Sequence, residues 1–222
     1  MKFGKLADTS KVDFTLPEDA PWTKKFLADL PERKQPCQLY IGCTGWSMKE
    51  WVGTVYPDKT KSTEYLKYYS RQFNTIEFNT THYRVPTPAM IAKWYTQSSV
   101  DFRFCPKVFK LISHTKELGI GNGRIAEYCE AITRLKEKMG CAFIQLPPYF
   151  GYDRHPLLER FFDAWPREVP LAIEVRHESW FESERQFEQL AQLAAIYEKP
   201  LVITDVAGRR DVLHMGVTHN TR

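Results

Sequence analysis

The stretch Leu171-Ala-Ile-Glu-Val-Arg-His-Glu-Ser-Trp-Phe181 decides the fold. Successive strand side chains point to opposite faces, so Ala172, Glu174 and Arg176 share one face while Ile173 and Val175 share the other. An apolar face backed by ionised groups does not suit the core of a sandwich. It suits a barrel strand covered outside by helices, with a polar mouth at the strand's carboxyl end.

Working outward from this strand, the same unit recurs. Strands are predicted at 39–43, 75–79, 102–105, 141–146 and 201–205, with helices near 63–72, 88–97, 125–138, 156–164 and 184–197. A strand every roughly 30 to 40 residues, each followed by a helix, implies a parallel sheet of (β/α) units. The expected fold class is therefore α/β, a TIM-type barrel with about six βα units and thus apparently incomplete. Residues 1–37 are polar, are broken by Pro17, Pro21, Pro31 and Pro36, and are expected to form an N-terminal arm with a short helix around 22–30. The barrel domain is expected over 38–222, although 206–222 offers at most one weak strand near 212–215. An open barrel leaves unpaired strand edges. Either the chain is a fragment of a longer barrel, or the arm or a second copy in a homo-oligomer covers the edge.

Hydrophobic residues make up 43% of the 222, so the chain has the means to bury a core. Its 31 Lys and Arg against 27 Asp and Glu give a net charge of +4, too weak by itself to indicate nucleic acid. The five cysteines are odd in number and lack metal-ligand spacing, which suggests reduced thiols and a cytoplasmic location. The first residues turn charged before an apolar segment develops, and no run of about 18 apolar residues follows, so neither a signal peptide nor a membrane span is expected.

In a βα barrel, chemistry sits at the carboxyl ends of the strands. The last inward positions are Glu77 and Asn79, Lys107, Gln145, Glu174 and Arg176, and Asp205. Each is polar by the same alternation that is expected to turn Phe78, Phe104, Ile144, Val175 and Thr204 outward. Buried ion pairs are a costly way to gain stability, so so many polar strand ends point to a site.

The pieces Gly45-Trp46-Ser47, Phe78-Asn79 with Tyr83-Arg84, Phe104 to Lys107, Ile112-Ser113-His114, Gln145-Leu-Pro-Pro148, Glu174-Val-Arg-His177 with Trp180-Phe181, and Ile203-Thr-Asp205 occur in this order. Together they resemble the YecE-like family, a bacterial and archaeal family of unknown function. The resemblance covers 40–205 and implies a TIM-barrel fold, but no particular reaction. Family members continue with further βα units after the Thr-Asp strand.

The chemistry must come from the residues. Glu174 and Glu77 could divide acid and base roles across the mouth, as paired carboxylates do when their environments differ. The simpler account is that they only neutralise Lys107 and Arg176. Arg176 presents a planar fork suited to a carboxylate or phosphate, and Lys107 a point charge. His177 and His114 are candidates for proton transfer near neutrality. Trp46 and Tyr83 offer a flat wall, with Arg84 beside them, and Gln145, Asn79 and Asp205 can orient a ligand. Only His82, His114 and His177 lie in loops suited to a metal, without an HxH or HExxH pair and with Arg84 and Arg176 nearby, so neither a metal nor a cofactor is expected. The leading expectation is a metal-independent enzyme using carboxylate acid/base chemistry on a small polar substrate, anionic or sugar-containing. The alternatives are a metal-dependent phosphodiesterase acting on nucleic acid, which the few histidines disfavour, and a non-catalytic metabolite-binding barrel.

Overall fold

The computed structural model describes residues 21–30 and 38–204, together with Ser10, Thr15, Glu18, Asp19 and Pro36. Chain order is α1 (Pro21–Ala28), α2 (Tyr65–Gln72), β1 (Thr75–Phe78), α3 (Thr80–Tyr83), α4 (Pro88–Gln97), β2 (Arg103–Pro106), α5 (Lys110–Ser113), α6 (Arg124–Thr133), β3 (Ala142–Gln145), α7 (His155–Ala164), β4 (Leu171–Glu174) and α8 (Glu184–Ile196). The longer helices lie where apolar periodicity put them. Local chemistry sets their ends. Thr87 accepts a hydrogen bond from Met90 N at 3.3 Å ahead of Pro88, and Ser183 caps α8 through Gln186 N at 3.3 Å. Glu198, at φ 54°, turns the chain out of α8, where Lys199 N donates to Ala194 O at 2.8 Å.

β1 pairs in parallel with β2, aligning Glu77 with Cys105, and β3 pairs in parallel with β4, aligning Gln145 with Glu174. Parallel bridges at Phe104–Met139 and Lys107–Phe143 join the two pairs. Between those bridges the β3 side carries one residue more than the β2 side. This is a bulge around Gly140 and Cys141, and it interrupts what would otherwise be one ladder. Beyond β4, Leu201 bridges Ile173, and Val202 N donates to Ile173 O at 2.8 Å. The strand predicted at 201–205 is thus reduced to a bridge, and Asp205 lies outside the described residues, as do the weak strand near 212–215 and most of the arm. The fold is mixed α/β with short parallel strands, and among the described residues these strands do not close into a barrel.

The strand predicted at 39–43 lies beside β1 but makes no regular ladder. Asn74 N donates to Ile41 O at 3.3 Å and Glu77 N to Cys43 O at 3.1 Å. The Cys43 N–H instead donates to the hydroxyl of Tyr69 at 2.6 Å, and that hydroxyl donates onward to Thr75 O at 3.1 Å. A buried phenol therefore stands between the two backbones. Burial pushes the Tyr69 phenol up to about 12, so it keeps its proton and its donor role. Gly42 is needed at the same contact, because a Cβ there would lie 2.0 Å from Thr75 O.

Alternation divides each strand between two environments. Ile76, Phe78, Phe104, Ile144 and Ile173 are buried beneath the helices. Thr75, Glu77, Cys105, Phe143, Gln145 and Glu174 line the opposite face, along an open cavity of about 560 Å³. Thr204, expected to face outward, lines this cavity too, because 201–204 forms a bridge rather than a regular strand. The core has two parts, one around Tyr69, Phe78, Trp94 and Phe102 and one around Ile144, Phe161, Trp165 and Trp180, with Met139 packed against both.

Removing the Tyr69 hydroxyl leaves a partly buried N–H and a partly buried C=O without their partner. Tyr69→Phe should therefore lower unfolding free energy by about 1–3 kcal/mol in urea titration. A change within about 0.5 kcal/mol, typical of an uninvolved surface position, would contradict the bridging role.

Candidate functional site

The polar positions singled out by alternation converge where β2, β3 and β4 end. Lys107 follows β2 directly, and its backbone carbonyl accepts from the Thr81 hydroxyl at 2.8 Å and the Tyr128 hydroxyl at 2.9 Å. With its backbone so anchored, Lys107 sends Nζ to Gln145 Oε1 on β3 at 3.0 Å. Gln145 Nε2 donates to Glu174 Oε2 on β4 at 2.6 Å. Glu174 Oε1 then lies 3.9 Å from Arg176 Nε, with both side chains nearly buried. The Gln145 amide has only one possible orientation here, since an ammonium can only donate and an ionised carboxylate only accept. A charged relay thus runs across three successive strands.

Burial pushes the Lys107 ammonium below its usual range, Glu77 and Glu174 pull it back up, and Arg176 pushes it down again. Lys107 also lies 5.5 Å from the centre of the Phe143 ring. The cationic end of the relay is therefore partly dry, and an anion placed there would restore what burial removed.

The other predicted residues divide. Glu77 is exposed and accepts from Asn79 Nδ2 at 3.0 Å, so this carboxylate and amide pair within one strand end while Glu77 also acts on Lys107 electrostatically. His114 is exposed, with Nδ1 2.8 Å from Ser113 Oγ. His177 is occupied locally: its Nδ1 accepts from Ser179 N at 3.1 Å and caps the short turn Glu178–Trp180. Trp46 stacks on Phe78 at 5.2 Å and meets Phe104 edge-on at 6.3 Å, which places it against the core. Tyr83 is 68% exposed and Arg84 is exposed beside it, on the rim.

One residue of this neighbourhood was absent from the predicted site. His82, on α3, lies with its ring centre 5.4 Å from that of His114 and 5.3 Å from that of Tyr83. Its Nδ1 is 2.8 Å from Val108 O, just past Lys107. Burial holds His82 below its usual range, the Val108 carbonyl opposes this, and Lys107 and Lys110 add to it. His114 is lowered by partial desolvation, then by His82, Lys107 and Arg176. The only sequence signal for His82 was its place in the loop after a strand.

Below pH 6.5, the ordinary histidine value, the unfolded chain binds protons at these two rings more readily than the folded one. Stability should therefore fall as pH drops below 6.5, until the folded rings also protonate. In urea midpoints measured from pH 7.5 to 5, the double variant His82→Asn, His114→Asn should show a flatter decline than the parent. An equally steep decline would place the lost protons elsewhere.

Comparison with known proteins places this architecture. Residues 40–222 match the family described as "Protein of unknown function DUF72". The Escherichia coli K12 UPF0759 protein YecE is 35% identical over 143 residues, 64% of this chain and 50% of that protein. The Bacillus subtilis UPF0759 protein YunF is 25% identical over 150 residues, 64% of this chain and 52% of that protein. The chain thus spans about half the length of the curated relatives it matches. The crystal structure of a DUF72 family protein, EF0366 of Enterococcus faecalis V583, is 25% identical and superposes with a TM-score of 0.60, covering 75% of this chain and 62% of that one. This chain belongs to the DUF72 family, and the resemblance to YecE-like proteins is confirmed.

Proposed function

We propose that this DUF72 chain forms the greater part of a TIM-type barrel whose mouth binds and transforms a small polar anion without a metal. The reading is carried by the Lys107–Gln145–Glu174–Arg176 relay, which joins three consecutive strand ends and leaves two cations flanking a nearly buried carboxylate. Such an arrangement is costly as a stabilising device, because each charge must give up water. A bound carboxylate or phosphate would compensate that loss, with Arg176 as a fork and Lys107 as a point charge.

In this reading Lys107 and Arg176 hold the anion, and Glu174 serves as the acid/base carboxylate oriented by Gln145. Glu77 and Asn79 form the second polar edge, and Tyr83 supplies the exposed aromatic wall. The strand succession supports the barrel: each parallel strand lies beside its predecessor, and the polar ends share one rim. The free thiols of Cys43, Cys105, Cys129 and Cys141 fit a reducing cytoplasm. No helix among the described residues is long and apolar enough to cross a membrane.

Calorimetric titration with inorganic phosphate and with a hexose phosphate tests the proposal. At least one should bind, and Lys107→Met and Arg176→Met should each weaken binding about tenfold or more, which corresponds to about 1.4 kcal/mol. Glu174→Gln should keep the anion affinity while removing turnover of a substrate identified from such binding. Absence of binding by both anions, or unchanged affinity in both cation variants, would contradict it.

A further inference from the structure

We infer that His82 presents its Nε2 lone pair to the site as a proton acceptor, in a tautomer fixed by the Val108 carbonyl. A backbone carbonyl can only accept, so the 2.8 Å contact at Nδ1 requires the proton to sit on Nδ1. In the neutral ring Nε2 is then unprotonated. Among the described residues no donor is bonded to that nitrogen, and the ring is only half-buried. A histidine whose Nδ1–H is held by a carbonyl while Nε2 is left open is set up to accept a proton or to ligate a metal.

The surroundings choose between these. Lys107 and Lys110 act on His82 from β2's end and from α5, and His114 lies at 5.4 Å between centroids. Cations so placed repel a metal ion and keep the ring neutral, yet favour an anionic substrate. Tyr83 lies edge-on to the ring at 5.3 Å between centroids. In the step, a proton leaves an acidic X–H of the bound anion for Nε2, and its bonding electrons stay on X. The imidazolium keeps its Nδ1–H bond to Val108 O, and the nearby ammonium groups favour return of the proton. His82 also staples α3 to the end of β2, since Thr81 of the same helix bonds the Lys107 carbonyl.

The inference deepens the anion-site reading by adding a second proton-transfer group beside Glu174, but its test needs no substrate. In ring-¹⁵N-labelled protein, His82 should show the Nδ1–H tautomer at pH 7.5 and titrate below 6.5. Lys107→Met should move that midpoint upward. Diethyl pyrocarbonate should modify Nε2 of His82 in the folded chain. His82→Asn, whose amide can replace the Nδ1 donor, should keep the melting temperature and lose the modified peptide. His82→Gln assigns the resonance. The Nε2–H tautomer, a midpoint above 7, failure to modify His82, or one equivalent of zinc bound at Nε2 with micromolar affinity would each overturn the inference. The anion reading fails in calorimetry and this one in the ring spectrum, so the two failures are distinguishable.

Discussion

The Gln145 carboxamide is the contact on which the arrangement of the rim depends. It accepts from Lys107 on one side and donates to Glu174 on the other. Its carboxamide carries an acceptor oxygen and two donor hydrogens on one planar group, so it can meet a cation and an anion at once. Gln145 reaches both partners because the parallel register sets it level with Glu174 and the Lys107–Phe143 bridge sets Lys107 beside β3. Without an amide at this position, an ammonium and a carboxylate would share a partly dry rim with no group between them to orient either.

The same logic of paying for buried polarity recurs at the other end of the sheet. Tyr69 stands between the backbones of Cys43 and Thr75, satisfying one N–H and one C=O that a regular ladder would have joined directly. Gly42 lets the two segments approach where a Cβ would collide. Buried Lys138 likewise uses Nζ on Tyr95 O, Ser98 O and Ser98 Oγ at 2.7, 2.8 and 3.0 Å, tying the end of α4 to the turn before β3. At each of these places a side chain completes hydrogen bonds that the backbone alone leaves open.

This division explains what was legible in the sequence. Alternation gave the correct face for Phe78, Phe104, Ile144, Ile173 and Val175, because burial alone decides it, but not for Thr204, which lies past the last regular pairing. Helix positions followed from apolar spacing and from caps such as Thr87 and Ser183. The broken pairing at 39–43 was not legible, since it depends on a phenol supplied from α2. The bulge at Gly140 and Cys141 was not legible either, because it is a mismatch between two strands rather than a property of one. In the site, the relay residues were selected by position, whereas His82 acquires meaning only through the carbonyl of Val108, distant in sequence. Trp46 had the composition of a ligand wall but is engaged by Phe78 and Phe104. His177 lies two residues before the Ser179 amide that it caps, a local pairing that was open to sequence reasoning.

The most direct test of the central claim is a crystal structure of the chain grown with inorganic phosphate. The account predicts phosphate oxygens within hydrogen-bonding distance of both Lys107 Nζ and the Arg176 guanidinium, with Gln145 still bonded to Glu174. A rim left without phosphate at concentrations that fill other sites, with Lys107 still closed on Gln145, would show the relay to be a structural ion network and contradict the account.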